Sequence, residues 1–436
     1  MRLGGRLAGA IEVLADIEGR KRPVADALKD WGLAHRFAGS GDRAAIGNIV
    51  YDALRMKLSH AWLMDDDSAA SLGYAVLLRQ WGKSFSELAA EFDGDKFAPA
   101  APNEQRQQAF LSRSLGDAPT HIQGDVPEWV QSSFETAFGE NWLTEAQALN
   151  ERPTLDLRAN TLKATREKVL KALEESGAEA TRIARQGVRI PAGEGPSRLP
   201  NVTAELSFQK GWFEVQDEGS QIVADLAGAH EGEQILDYCA GGGGKTLAMA
   251  ASMNNKGQVH AFDADRKRLA PIIERLKRAG TRNVQVHDRT AGLVPFQGKF
   301  DRVLVDAPCT GTGTWRRRPD TKWRLTARNL KERVQQQGEA LSQAKGFVRP
   351  GGELLYVTCS VLPEENEQQV RRFCEENPEF VIGSALERWQ TTFGANANKP
   401  HSSDGKTVTL TPATTDTAGF FFCLMKRKAY KPICTR

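Results

Sequence analysis

The stretch that decides the fold is Leu236-Asp-Tyr-Cys-Ala-Gly-Gly-Gly-Gly-Lys-Thr246. Its apolar start predicts a β-strand, its four glycines predict a tight loop, and residues 245–253 predict a helix. Glycine lets a backbone approach a ligand closely, and the first turn of a helix offers N–H groups without a partner inside the helix. The stretch therefore predicts the first strand of an α/β domain, with a ligand site at its tip.

Three kinds of ligand compete for this glycine loop. A phosphate-binding P-loop needs a glycine five residues before Gly-Lys-Thr, and Cys239 stands there instead. The glycine spacing of a dinucleotide fingerprint fits only when it is forced. An adenosyl cofactor is favoured, because Asp263 ends the next predicted strand, where an acid would hold a ribose hydroxyl. Asp288 ends the third predicted strand, where a carboxylate could accept from an adenine amine.

Strands and helices alternate from residue 211 onward. Such alternation predicts a doubly wound parallel sheet, a Rossmann-like domain over 211–430. Further strands are predicted at 258–263, 284–287, 302–306, 352–358 and 420–425, and helices at 266–279, 327–347 and 363–376.

Two smaller modules are predicted before this domain. Apolar residues at helical spacing, such as Leu7, Ile11, Leu14 and Ile17, predict an all-α domain over 1–125. Residues 126–210 predict a linker and a small α+β insert, with strands at 154–158 and 188–190 and a helix at 164–176.

The composition excludes several classes of protein. The 436 residues carry 58 basic and 55 acidic side chains, a net charge of +3 that rules out a histone-like polycation. The six cysteines form no Cys-x-x-Cys pair and the seven histidines are scattered, so we expect no metal site. No signal peptide and no transmembrane run is recognisable, which predicts a cytoplasmic protein, and we expect a monomer.

Two cysteines stand where a doubly wound sheet places its ligands. Cys309 in Asp306-Ala-Pro-Cys309 and Cys359 in Thr358-Cys-Ser360 each follow a predicted strand. Pro308 stiffens the turn and so fixes the first thiol. We interpret both as functional thiols, whereas Cys374, Cys423 and Cys434 are interpreted as small apolar residues. Pro363 and the acids after it predict the first turn of a helix; these acids are Glu364, Glu365 and Glu367.

Together these motifs resemble those of the bacterial RsmB-like family of ribosomal RNA 5-methylcytosine methyltransferases, related to the Nop/Sun enzymes. The resemblance implies a Rossmann-like, S-adenosylmethionine-dependent methyltransferase domain, preceded by an all-α NusB-like RNA-binding domain and an RRM-like insert. The strings that carry it are Val215-Gln-Asp-Glu-Gly-Ser-Gln221, the glycine loop, Asp306-Ala-Pro-Cys309, Arg316-Arg-Arg-Pro-Asp320 with Trp323, Thr358-Cys-Ser360, Pro363-Glu-Glu-Asn-Glu367 and, more loosely, Gly41-Asp-Arg-Ala44 with Val50-Tyr-Asp-Ala-Leu-Arg55.

The resemblance also implies how the cofactor, S-adenosylmethionine, is held. Asp263 would hold its ribose and Asp288 its adenine amine, while Asp306 would lie at both the cofactor and the target base. The family usually has Ala-Pro where this chain has Gly241-Gly242, so we expect a more flexible loop here. The residues that would wrap the cofactor are Cys239, Ala240, Gly241, Gly242, Gly243, Gly244 and Lys245.

The same resemblance implies that Cys359 is the nucleophile and that Cys309 assists release. The chemistry agrees, because carbon 5 of cytosine attacks a methyl sulfonium only after a thiolate has added at carbon 6. Asp306 could hydrogen-bond the cytosine, and Lys245 could lower a thiol pKa or hold the base. A base inside a helix is out of reach, so the target must be unpaired or flipped.

Charge placement favours an RNA partner, which the family suggests is 16S ribosomal RNA or a small-subunit precursor. Residues 266–282 hold seven basic side chains and one acidic, and residues 301–333 hold nine and four. The predicted RNA contacts are Arg316, Arg317, Arg318 and Trp323, which mix cations with an aromatic ring. Two alternatives stay open: a DNA cytosine methyltransferase with Cys309 as nucleophile, and a non-catalytic RNA-binding assembly factor.

Overall fold

The computed structural model describes residues 1–395 and 397–429, and the chain divides into two compact units. Unit 1 contains residues 1–153, 192–199 and 314–325, and unit 2 contains 154–191, 200–313 and the residues from 326 onward. The chain therefore leaves and re-enters each unit more than once. Cys434 and the predicted domain limit at residue 430 lie outside the described residues. No helix in the described ranges is long and apolar enough to cross a membrane.

Unit 1 is built from helices, as the apolar spacing predicted. Leu7, Leu14 and Ile17 on the first helix are buried in one core with Val50 and Val76 from later helices. Its α-helices span Leu3–Arg20, Val24–Ala34, Ser40–Arg55, Lys57–Met64, Ala69–Arg79, Phe85–Phe92, Glu104–Ser112, Thr120–Gln123, Gln131–Phe138, Trp142–Ala148 and Pro319–Arg324.

The last of these helices comes from far along the chain and is anchored by a buried lysine. The Lys322 ammonium donates to the backbone oxygens of Arg55 and Asp125 at 3.1 and 2.9 Å, and to Asn150 Oδ1 at 2.5 Å. Trp315, from the same segment, stacks on Phe134 with ring centroids 5.8 Å apart. Residues 314–325 therefore belong to the core of the helical unit.

Unit 2 begins with a small antiparallel sheet of four strands: β1 (Leu155–Ala159), β2 (Glu179–Ala180), β3 (Gly187–Ile190) and β4 (Phe213–Val215). Their order is β2-β3-β1-β4. The helix Arg166–Ala172 packs Val169 against Leu157 and Phe213. The predicted helix over 164–176 is shorter than expected, and its final residues form the 3-10 turn Glu174–Ser176. Because β4 lies beyond residue 210, we propose that this insert ends after Val215.

The main sheet confirms the predicted doubly wound fold. Its strands are β5 (Gln234–Asp237), β6 (Gln258–Phe262), β7 (Val284–His287), β8 (Phe300–Asp306), β9 (Val348–Thr358), β10 (Phe380–Ile382), β11 (Val408–Leu410) and β12 (Phe420–Arg427). They run in the order β10-β12-β9-β8-β5-β6-β7, with β11 paired to β12. Neighbours from β9 to β7 are parallel, and β12 is antiparallel to β9. The carboxyl ends of β5, β8 and β9 therefore meet at one edge.

Alternating side chains along the parallel strands enter two separate cores, one on each face. Ile235 of β5 and Leu304 of β8 lie in the first core, and Leu236 and Val303 lie in the second. The α-helices of unit 2 span Leu206–Gln209, Glu218–Leu226, Gly244–Ser252, Arg266–Leu269, Ile272–Ala279, Ala327–Ala344, Glu367–Glu376, Ala385–Phe393 and Pro412–Thr415.

Three predicted helices differ from the observed ones. The helix over 266–279 is interrupted before Ile272, because Pro271 has no N–H to continue the hydrogen-bond ladder. The helix over 327–347 ends at Ala344 and continues as the 3-10 turn Lys345–Phe347. The helix predicted from residue 363 begins at Glu367, so the prediction that Glu364 and Glu365 lie in its first turn was wrong.

Candidate active site

The glycine loop follows β5 and adopts a conformation that requires glycine. Gly241 and Gly243 have φ of 50° and 80°, in the left-handed region. A Cβ built on Gly243 would lie 2.5 Å from Cγ1 of Ile272. The Gly241 N–H donates to Asp263 Oδ2 at 2.9 Å, and Arg275 donates to the Gly242 oxygen at 2.6 Å. Asp263 therefore supports the loop, and its contact with a ribose stays a prediction.

A buried carboxylate beside this loop fits an S-adenosylmethionine cofactor. Asp237, the last residue of β5, accepts a hydrogen bond from Thr246 Oγ1 at 2.6 Å through its Oδ2. Its Oδ1 has no hydrogen-bond partner among the described residues. Burial raises the pKa of Asp237 to about 7, although the bond from Thr246 opposes this. An unpaired buried carboxylate oxygen needs a donor or a cation, and the cofactor's ammonium and sulfonium groups would supply one.

Asp288 and Cys239 differ in accessibility. The Asp288 side chain is 67% exposed just after β7, with Arg266 Nη2 at 3.4 Å from its Oδ2. Cys239 is half-buried. The pKa of its thiol is raised, mainly by burial and also by the negative charge of the nearby Asp263. Asp288 is therefore accessible to a ligand, whereas Cys239 is held as the neutral thiol.

The two predicted functional thiols lie side by side. The sulfurs of Cys309 and Cys359 are 3.3 Å apart, because β8 and β9 are neighbours and Asp306 pairs in register with Val357. At that distance they are hydrogen-bonded free thiols and not a disulfide. The edge of the sheet thus joins residues that are 50 positions apart in the sequence.

The hydrogen bond between the thiols separates their acidities. The Cys309 contact lowers the pKa of Cys359, and Lys245 adds to this effect, while burial and Asp306 oppose it. The pKa of Cys309 is raised well above its usual value, because of the same hydrogen bond, burial and the negative charge of Glu365. Cys359 is therefore the thiol that ionises more readily.

A buried ion pair lies next to the thiols. Lys245 Nζ is 2.7 Å from Asp306 Oδ2, and the two side chains are 8% and 31% exposed. Burial opposes the charge on Lys245, but Asp306 and then Asp237 outweigh it and raise the pKa of the ammonium. The pair therefore fixes the orientation of the Asp306 carboxylate, which stays partly exposed to solvent.

The predicted RNA contacts fall into two groups. Arg316 is buried in unit 1, and its guanidinium donates to the Arg152 backbone oxygen at 3.0 Å. Trp323 packs against the helical core and donates to the Leu54 oxygen at 2.6 Å. The buried position of Arg316 contradicts its interpretation as a surface contact, whereas Trp323 is half-buried and its contact with RNA stays a prediction. Arg317 is half-buried and Arg318 is exposed, so these two can reach a ligand.

Sequence reasoning missed two buried acids of this site. Asp237 lies within the glycine-loop string but has no predicted role, and Glu365 is predicted only as a residue of a helix turn. Glu365 is fully buried and accepts from the Thr310 N–H at 2.8 Å, next to Cys309. One signal could have identified both acids: each lies within a sequence string that carries the family resemblance. In the described part of the chain no group of three or more histidine, cysteine or acidic residues could hold a metal ion.

Comparisons with known proteins identify the family of this chain. The fold and the glycine loop define an α/β methyltransferase. A family model described as 16S rRNA methyltransferase RsmB/F matches residues 225–426, and a model of the RsmF/B-like ferredoxin-like domain matches residues 126–193. The chain belongs to the RsmB/F methyltransferase family, because one relative in it is 36% identical and is covered over more than two thirds of its length.

Two relatives and one of several similar solved structures show how much of the chain is shared. Ribosomal RNA small subunit methyltransferase B of Cronobacter sakazakii is 35% identical over 69% of this chain and 66% of its own length. The protein of the same name from Yersinia pseudotuberculosis is 36% identical over 69% and 68%. The alignment thus spans about two thirds of each relative. The structure of NSun6 from Pyrococcus horikoshii with SFG shares the fold at 22% identity, with a TM-score of 0.60 over 70% of this chain and 99% of that one.

Proposed function

We propose that this chain methylates carbon 5 of a cytosine in 16S ribosomal RNA, with S-adenosylmethionine as methyl donor. The observation that carries the proposal is the pair of thiols 3.3 Å apart at the carboxyl edge of the sheet, beside Lys245 and Asp306. Two thiols supply both a nucleophile and a second group for release, as cytosine chemistry requires. The names of the bacterial relatives support the choice of small-subunit RNA.

In this proposal the cofactor lies against the glycine loop. Residues 239–245 wrap it, Asp263 and Asp288 hold its ribose and adenine, and Asp306 borders it. When bound, S-adenosylmethionine supplies an electrophilic methyl group. The unpaired oxygen of Asp237 supports this placement, and so does NSun6, which was crystallised with SFG, an analogue of the cofactor.

Cys359 is the nucleophile in this proposal. Its thiolate forms a bond to carbon 6 of the cytosine, and the electron pair of the 5,6 double bond becomes available at carbon 5. Asp306 hydrogen-bonds the ring nitrogen or the amine and stabilises the adduct, while Lys245 holds Asp306 and favours the thiolate. After carbon 5 has gained its methyl group, a base takes its proton and the bond from sulfur to carbon 6 breaks. Cys309 assists this release.

The RNA must present the cytosine unpaired or flipped. Arg317 and Arg318 are the accessible cations that we propose contact its phosphates, and the helical unit is proposed as a further RNA-binding module. A ribosomal RNA substrate implies a cytoplasmic enzyme, and we propose that it acts as a monomer.

The proposal is tested by trapping the covalent adduct. C309S, mixed with cofactor and a 16S RNA fragment, is expected to accumulate a protein–RNA complex that survives denaturing electrophoresis, because addition occurs and release fails. C359A is expected to form no complex and to transfer no methyl group. The reverse result, in which C359S traps RNA and C309A is inactive, would exchange the roles and favour the mechanism of DNA cytosine methyltransferases.

A further inference from the structure

Two buried side chains clamp the loop that carries Cys309. Gln337, in the long helix Ala327–Ala344, donates to the Pro308 oxygen at 3.0 Å, on one side of the cysteine. On the other side, Glu365 accepts from the backbone N–H and the hydroxyl of Thr310. Gln337 also donates to Glu365 Oε1 at 2.9 Å, so the clamp is closed. Backbone bonds thus fix the residues immediately before and after Cys309.

The clamp requires an acceptor at position 365. Gln337 and Glu365 are fully buried, and the amide of Gln337 faces two acceptors, the Pro308 oxygen and the carboxylate. The amide nitrogen must therefore point toward them. Thr310 and Gln337 donate hydrogen bonds to the Glu365 carboxylate, which favours the ionised form, although burial outweighs them and raises the pKa of this group. The helix Ala327–Ala344 and the loop after β9 thus place a carboxylate beside Pro308 and Thr310, the two residues that flank Cys309.

Three ionisable groups face Cys309. They are Cys359 at 3.3 Å, Glu365, and Tyr356 of β9, whose hydroxyl donates to the Glu365 backbone oxygen at 2.6 Å. The charge of Glu365 disfavours a thiolate on both cysteines, but its carboxylate is hydrogen-bonded to Thr310, the residue directly after Cys309. Lys245 and Asp306 instead face Cys359, with opposite effects on it. Glu365 thus acts on Cys309 through the loop that it clamps, and so sets the position from which this thiol meets Cys359.

We propose that Glu365 is a positioning residue that keeps Cys309 protonated and donating to Cys359, and so decides which of the two thiols is the nucleophile. The inference rests on the two-thiol function proposed above. Without the carboxylate, the proton between the two sulfurs is shared differently: Cys309 loses it more readily and Cys359 holds it more tightly.

The test is the pH dependence of alkylation of each thiol in the full chain without cofactor or RNA, measured with iodoacetamide and peptide mass spectrometry. In the wild-type protein Cys359 is expected to react at lower pH than Cys309. E365Q is expected to lower the midpoint of Cys309 by about one pH unit or more, a tenfold change in thiolate fraction, and to raise that of Cys359. The control E375Q changes an exposed acid in the helix Glu367–Glu376, which follows Glu365 in the chain, and is expected to move neither midpoint.

Opposed shifts are the signature of the proposal, because a loosened loop would make both thiols more reactive at every pH. T310V removes a donor to the clamp but keeps its charge, so Cys309 should retain its high midpoint in that variant. The proposal is overturned if the wild-type order is reversed, a result that needs no variant to fold, or if E365Q moves both midpoints together or not at all. Since the assay needs no methyl transfer, its failure is distinguishable from a failure of adduct trapping.

Discussion

Replacing Lys245 with methionine tests how far the ion pair controls the chemistry. Methionine keeps the apolar stem but removes the ammonium that lies 2.7 Å from Asp306 Oδ2. Two effects should follow. Asp306 loses the group that fixes its orientation, and Cys359 loses the positive charge that favours its thiolate.

The burial of the pair sets the size of the first effect. Lys245 is only 8% exposed, so its hydrogen bond is shielded, whereas the 31% exposure of Asp306 allows water to replace part of it. A charge-assisted hydrogen bond of this kind contributes about 1.5–3 kcal/mol. If that stabilisation is present in the transition state, its loss lowers the rate by about 10- to 150-fold.

The second effect has a definite sign. Since Lys245 lowers the pKa of Cys359, the pKa rises in K245M and a higher pH is needed to form the nucleophile. The acidic limb of the rate profile should therefore move to higher pH. Single-turnover methyl transfer to RNA, measured over a pH series with saturating cofactor, reports both effects.

An exposed lysine provides the matched control. Lys256 Nζ lies 2.8 Å from Glu231 Oε2, but its side chain is 63% exposed, and K256M should change neither rate nor profile. An acidic limb in K245M that coincides with that of the wild type would refute the electrostatic role of Lys245, whatever the loss of rate.

Two further predictions concern stability, measured as the free energy of unfolding in urea. G243A should cost about 2–5 kcal/mol, because its backbone is left-handed and its Cβ would contact Ile272. G298A is the control: its φ is also positive, at 66°, but its Cβ would meet open space, so it should cost about 1–2 kcal/mol. Equal losses would contradict the predicted contact with Ile272. R189M should cost about 3–5 kcal/mol, because it removes the cation that balances the buried carboxylates of Asp156 and Glu218. R182M, at an exposed position, should stay within about 0.5 kcal/mol. A small loss in R189M would show that water replaces the guanidinium.

The main fold was predictable because its signals are local. Strand-helix alternation and the glycine loop identify the sheet, and parallel strands bring their carboxyl ends to one edge, so Cys309 and Cys359 could be placed together before their distance was known. The break at Pro271 was missed, because helical spacing of apolar residues continues across it, although proline lacks the donor that a helix interior needs. The strand β4 was missed, since three residues carry too little alternation to be recognised.

Burial of polar residues was less predictable, because it depends on partners far away in the sequence. Glu365 looks like a surface acid until Thr310 and Gln337 are placed beside it. Trp323 resembles a stacking platform until its indole meets the Leu54 oxygen, 269 positions earlier. A charge pattern gives the chemistry of a segment, but tertiary packing decides which of its side chains face solvent.

The passage of residues 314–325 through the helical unit has a consequence for how the protein can be divided. A gene fragment that begins at residue 154 would still encode Trp315 and Lys322, but without the helices that supply Phe134 and the acceptors of the lysine. The Trp315 indole and the Lys322 ammonium would then lose these partners, in the segment that follows Cys309 in the chain. The helical unit therefore cannot be deleted by removing the first 153 residues alone. Any gene that keeps residues 314–325 must also keep the helices that these residues pack against.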